Sequence, residues 1–139
     1  MEHKQLLTVF NSLPVGIGFF TADGTLVRCN ESFCRIFGAD SQTLLGNKLN
    51  INENSVVPDV VKEAVRRCVP VQMSFLYDFD KQRTDKRFFS TRTRTCYLKC
   101  NGNPLYDNDG KFVNYIFIFE DITETVKSEE VLRQSRRKT

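Results

Sequence analysis

The sequence predicts an α+β domain, an antiparallel sheet with helices gathered over one of its faces. Three observations carry that expectation. Apolar runs flank Asp23-Gly24, a dipeptide that tolerates the positive φ angles of a tight hairpin turn. Val71, Met73, Phe75, Tyr77 and Phe79 alternate with Gln72, Ser74 and Asp78, the period of a strand with one buried face, broken only by Leu76. The order along the chain is two strands, several helices, three strands and a terminal helix, which packs as a sheet with helices on one side.

The 139 residues suit one domain with a single core. In order, Leu6, Val9, Phe10 and Leu13 fall on one helical face, and Pro14 closes that amphipathic helix. Val15–Phe20 and Thr25–Cys29 are the two hairpin strands. Asn30 precedes Glu31–Phe37, whose Phe33, Ile36 and Phe37 form one apolar face, so Asn30 is the expected N-cap and Gly38 the expected stop. Ser41 is expected to cap a second short helix carrying Leu44 and Leu45 and ending at Gly46. Val57, Val60, Val61, Ala64, Val65 and Cys68 mark the clearest helical period, with Pro58 in its first turn, Asp59 and Arg66-Arg67 matching the dipole, and Pro70 ending it. Asp80–Arg87 reads as polar and turn-like, Phe88–Asn101 as β-prone, Asp109-Gly110 as a hairpin turn and Phe112–Glu120 as the last strand.

Composition narrows the function classes. At 40% hydrophobic and 27% charged the chain is ordinary for a globular protein, while 12 Phe and no Trp point to an aromatic-rich interior. A net charge of +3 gives no strong pull toward an anionic partner, and Arg133, Arg136, Arg137 and Lys138 read as a solvated tail, so no nucleic-acid binding is expected. No apolar run approaches the roughly 18 to 20 residues that span a bilayer and no signal-peptide pattern opens the chain, so a cytoplasmic location without membrane contact is expected. The five scattered cysteines (Cys29, Cys34, Cys68, Cys96, Cys100) read as reduced thiols.

Catalysis is not expected either. The single histidine, His3, lies on the terminal helix, and Walker, GxGxxG and paired-histidine metal motifs are missing from the sequence. Cys96 and Cys100 would share a strand face about 13 Å apart, too far to hold one tetrahedral metal. A redox role for Cys29 or Cys34 has only Arg28 and Arg35 nearby to favour a thiolate.

Five stretches together resemble the PAS family of sensor and dimerisation modules: Leu13-Pro14-Val-Gly-Ile17, Asp23-Gly24 leading to Asn30 and a helix, Asn103-Pro104-Leu-Tyr-Asp107, Asp109-Gly110, and Asp121-Ile-Thr123. The resemblance implies a five-stranded antiparallel sheet in the order 2-1-5-4-3, with helices closing a cavity on its concave face. It divides the chain into an N-terminal amphipathic helix (1–14), a sensor domain (15–123) and a C-terminal signalling helix (124–139). Candidate pocket residues are Phe33, Phe37, Leu49, Val61, Met73, Phe75, Leu98, Cys100, Phe117 and Phe119, a set that serves equally as a filled core. Arg92 and Arg94 are read as facing water, with an anion contact as the alternative.

Alternation in the last strand sends Tyr115, Phe117 and Phe119 to one face and Ile116 and Ile118 to the other. Both faces are apolar, so the second is expected to meet the N-terminal helix or another copy. Leu6, Val9, Phe10, Ile116 and Ile118 are therefore candidates for a homodimer interface. Cofactor expectations follow from the resemblance. The stretch Gly46–Asn52 lacks the reactive Cys of flavin photosensors, and Phe119 stands where those domains often carry Gln; no cysteinyl-flavin adduct is expected. No axial His is available for haem, leaving Met73 or a Cys as the only substitutes.

Function is expected to rest on transmission. Asp121 and Thr123 can fix the angle at which the helix from Glu124 departs, and Val126–Ser135 resembles the linker leading into the phosphoacceptor helix of sensor histidine kinases. A small-molecule ligand and an output kinase domain in the same chain are thus the expected partners. Similar linkers precede diguanylate cyclase domains, and a ligand-free interaction module of such a cyclase or of a transcription regulator is the alternative.

Overall fold

The computed structural model describes residues 2–82 and 90–137. Its elements are α1 (His3–Ser12), β1 (Gly16–Phe20), β2 (Leu26–Cys29), α2 (Glu31–Phe37), α3 (Ser41–Gly46), a 3₁₀ turn (Ile51–Glu53), α4 (Asp59–Arg67), β3 (Val71–Asp78), the one-turn helix α5 (Phe79–Gln82), β4 (Thr95–Tyr106), β5 (Phe112–Asp121) and α6 (Thr123–Arg137). The five strands form one antiparallel sheet in the order β2-β1-β5-β4-β3, the order that the family resemblance implies. The last strand in the chain is thus the central one.

Local chemistry explains most boundaries. Gly24 takes φ 89° in the first hairpin, and Gly38 takes φ 68° at the end of α2, its amide donating to the Cys34 carbonyl. Asp40, not Ser41, caps α3: its carboxylate accepts from the Thr43 amide at 2.7 Å, because Ser41 is already the first helical residue. Pro58 occupies the cap position of α4 rather than its first turn, and Cys68, at φ 52°, ends that helix two residues before Pro70. Val60 lies at the margin of the apolar stripe and is 62% exposed, whereas Val57, Val61, Ala64 and Val65 are buried.

The alternation on β3 stops one residue earlier than the pattern predicts. The Asp78 carboxylate accepts from the amides of Asp80 and Lys81, which turns the chain into α5, and Phe79 is buried from that helix instead. Of the turn-like Asp80–Arg87, residues 83–87 lie outside the described residues, as do Phe88 and Phe89 of the expected strand. β4 begins at Thr95, after Arg94 takes φ 64°, and it runs on through Pro104 to Tyr106. Pro104 is tolerated because β3 stops opposite Gly102, so the missing amide faces no partner strand. The Asp107 carboxylate accepts from the amides of Asp109 and Lys111 and shapes the second hairpin.

The inner face of the sheet presents Tyr115, Phe117 and Phe119 from β5 and Cys96, Leu98 and Cys100 from β4, all buried. Aromatic rings from the helices and β1 meet them: Phe37 packs on Phe119 with ring centroids 5.2 Å apart, and Phe20 on Phe117 at 5.3 Å. Close approach is needed for this. A Cβ on Gly102 would sit 2.7 Å from the Phe117 ring and 2.8 Å from the Tyr115 ring, so glycine makes room for both.

Candidate functional site

The junction at the end of β5 is built from three side chains. The Asp121 carboxylate accepts from the Thr123 amide at 3.0 Å and from its hydroxyl. The Thr123 hydroxyl oxygen in turn accepts from the Tyr97 amide of β4 at 3.0 Å, and the Ile122 amide donates to the Tyr97 carbonyl at 2.9 Å. The first turn of α6 is therefore pinned to the neighbouring strand as well as to its own. Beyond that turn the helix stands clear, with Val131 and Leu132 64% and 56% exposed.

Arg92 completes the junction, and the structure corrects the reading that it faces water. Its guanidinium lies 3.1 Å from the Asp121 carboxylate, donates to the Ile36 carbonyl of α2 at 2.9 Å, and sits 4.8 Å from the Phe79 ring centroid. The Thr91 amide donates to the Gly38 carbonyl at 2.7 Å, which holds the segment before β4 against the end of α2. One cation thus joins α2, the aromatic core and the strand that feeds α6. Partial burial pushes the Asp121 carboxyl up, but its bonds to Thr123 and the Arg92 charge outweigh this and hold it below the usual value. Arg94 is exposed. No periodic pattern marks Arg92, because it lies in a loop whose partner is 29 positions away in sequence.

Between the helices and the sheet is a small cavity of about 20 Å³, lined by Phe20, Phe33, Phe37, Leu49, Asn50, Ile51, Asn54, Val57, Phe75, Tyr77 and Phe119. This is the scale of one water molecule. Of the candidate pocket residues, Phe33, Phe37, Leu49, Phe75 and Phe119 line it, whereas Val61, Leu98, Cys100 and Phe117 pack elsewhere in the interior and Met73 is half-buried at its margin. Any larger ligand has to displace those rings. The polar corner, where the Asn54 amide donates to the buried Tyr77 hydroxyl at 2.8 Å, was missed by sequence reasoning, since an isolated Asn in a turn carries no signal of burial. Burial pushes the Cys100 thiol up to about 12 and the Cys96 thiol up to about 11, as expected of inert core sulfurs.

Asn30 does more than cap α2. Its side-chain oxygen accepts from the Phe33 amide at 3.0 Å and from the Ile17 amide at 2.8 Å, while its NH₂ donates to the carbonyls of Phe10 and Val15 at 2.9 Å each. It is 1% exposed and all of its side-chain hydrogen-bonding groups are used, so it fastens α1 to the sheet. Near it, His3, Leu6, Leu7, Val9, Phe10, Leu13, Phe19 and Arg28 line an apolar recess of about 370 Å³. Leu6 and Val9 are 53% and 46% exposed there, Phe10 rests 6.0 Å from the Phe19 ring, and Ile116 and Ile118 are half-buried on the outer face of β5.

The family model described as "PAS fold" matches residues 10–127. No curated protein matches the sequence. Among solved structures, an RNA-binding light-oxygen-voltage receptor superposes with TM-score 0.66 at 16% identity over 96% of this chain, which spans only 37% of that receptor's length. A PAS domain from Colwellia psychrerythraea gives 0.64 at 16% identity, covering 87% of this chain and 97% of its own. A PAS domain from a two-component sensor histidine kinase gives 0.60 at 14% identity, covering 85% and 94%. At such identities these likenesses concern the fold.

Proposed function

Because the chain belongs to the PAS family of sensory domains, we propose that it relays a ligand- or conformation-dependent change to an output domain beyond α6, a histidine kinase of a two-component system being the output we favour. The observation that carries this reading is the Asp121–Thr123 junction on the central strand. There Arg92 links the carboxylate to the C-terminal turn of α2, so a shift of that helix against the sheet reaches the root of α6 through bonded atoms. The proposed division is an N-terminal helix (1–14), a sensor (15–123) and an outgoing helix (124–139), working as a cytoplasmic homodimer through Leu6, Val9, Phe10, Ile116 and Ile118. Among the described residues, no helix is long and apolar enough to cross a membrane.

The small cavity favours a second reading, a ligand-free interaction module of a cyclase or regulator that relays strain without binding anything. Native mass spectrometry of freshly purified protein separates the two, through a retained mass or none. Relay itself is tested by Asp121→Ala. In a full-length protein with a kinase output, basal autophosphorylation should change severalfold at a temperature where the variant remains folded. Output that changes only in proportion to lost folded protein would reduce Asp121 to a structural cap.

A further inference from the structure

Cys29 ends β2 and Cys34 lies in α2, and their sulfurs are 3.9 Å apart, both side chains being half-buried. The backbone on either side is fixed. Cys29 pairs with Gly18 in the sheet, and the Cys34 amide donates to the Asn30 carbonyl at 3.3 Å in the first turn of the helix. The other cysteines are placed differently: Cys68 ends α4, and Cys96 and Cys100 are buried on β4. We propose that Cys29 and Cys34 form a dithiol modification site that closes to an intramolecular disulfide by exchange with a low-molecular-weight disulfide of the glutathione type, and reopens with a small thiol.

The sulfurs are already in contact, and bonding distance is about 2.05 Å, so closure needs them to approach by about 2 Å. Cys34 attacks first, because the Cys29 S–H can donate to an ionised Cys34. Its thiolate bonds to one sulfur of the small disulfide, that S–S bond breaks, and one small thiolate leaves and takes up a proton. Cys29 then loses its proton and attacks the Cys34 sulfur, releasing the second small thiol. Two protein thiols are oxidised and one small disulfide is reduced to two thiols, so atoms and electrons balance. Burial raises both protein thiols, Cys29 to about 12, and Glu31 and Asp40 oppose Arg35 around Cys34. Exchange is accordingly slow near neutrality and quickens as pH rises. The new bond would bridge Asn30 directly, and so bear on the residue that fastens α1.

Arg28 and Arg35 flank the pair, so trypsin releases both thiols on one peptide, Cys29–Arg35. The intact chain is equilibrated with glutathione disulfide over a range of concentrations, alkylated, digested and weighed. The expected product is that peptide short of two hydrogens and resistant to alkylation, restored by dithiothreitol. It should form at glutathione disulfide levels at least about tenfold below those that modify Cys68, because the second thiol attacks intramolecularly. Cys29→Ser should instead leave glutathione attached to Cys34. The proposal is overturned if both thiols stay alkylatable at every level that modifies Cys68, if glutathione persists on the native peptide, or if the bridge joins two chains on a non-reducing gel.

Discussion

Removing charge from either side of the Arg92–Asp121 pair should weaken the domain, and a double-mutant cycle can assign the loss to the pair itself. Arg92→Met keeps an apolar stem over Phe79, while Asp121→Asn keeps an oxygen that can accept from the Thr123 amide. At 3.1 Å the bare attraction is about 5 kcal/mol at an effective dielectric constant of 20 and about 1 kcal/mol in bulk water. The two side chains are 32% and 28% exposed, so solvent pulls the value toward the lower limit, and a coupling of about 1 kcal/mol is expected. Arg92→Met also loses the charged hydrogen bond to the Ile36 carbonyl, giving about 2 kcal/mol in all. For a chain of 139 residues that is a fall of roughly 6 to 8 °C in Tm. Urea denaturation of the four proteins, repeated in high salt, measures the cycle. Coupling below about 0.3 kcal/mol, within the error of additivity, would mean that the two residues do not act together and would refute the proposed link from α2 to α6.

Other outcomes follow from the same geometry. Asn30→Ala strands the Phe33 and Ile17 amides and the Phe10 and Val15 carbonyls, and should cost about 3 kcal/mol or more, with amide exchange in α1 rising well beyond that elsewhere. Gly102→Ala places a methyl group against the Tyr115 and Phe117 rings and should cost about 1 to 3 kcal/mol by chemical denaturation, with β4 and β5 reporting the disturbance. Asp121 has a lowered folded-state pKa, so its contribution is fully present above the unfolded carboxylate pKa of about 4 and is lost as pH falls through the folded value. Stability measured between about pH 6 and pH 2 should therefore fall less steeply in Asp121→Asn than in the unmodified chain.

The strands and their turns were legible because the relevant signals are local or periodic, whereas the strand order came only with the resemblance to the PAS family, since no local pattern encodes which strands become neighbours. Asp23-Gly24 and Asp109-Gly110 announce their turns, Asn30 announces a cap, and the alternation of Tyr115, Phe117 and Phe119 announces an inner face. Element boundaries slipped where competing caps and turns lie within a residue or two of one another. Ser41 lost the cap to the adjacent Asp40, Asp78 diverted Phe79 out of its strand, and Arg94 delayed β4 by adopting a positive φ. At the candidate site the Asp121–Thr123 bonds lie two residues apart and were anticipated, whereas Arg92 and the Asn54–Tyr77 contact join distant segments. The aromatic residues named for a pocket divide between cavity wall and solid interior according to ring packing, which hydrophobicity alone does not encode.

The pairing of Gly16 with Phe119 has a mechanical consequence. β1 enters the sheet and β5 leaves it at the same end, side by side, so tension applied between the two flanking helices would load that pair of strands as a zipper. Once the Asn30 bonds to Phe10 and Val15 had given way, the strand hydrogen bonds would break in succession from Gly16 instead of resisting together in shear. A module strung between two anchored helices in this way yields at low force and from its own exit point first.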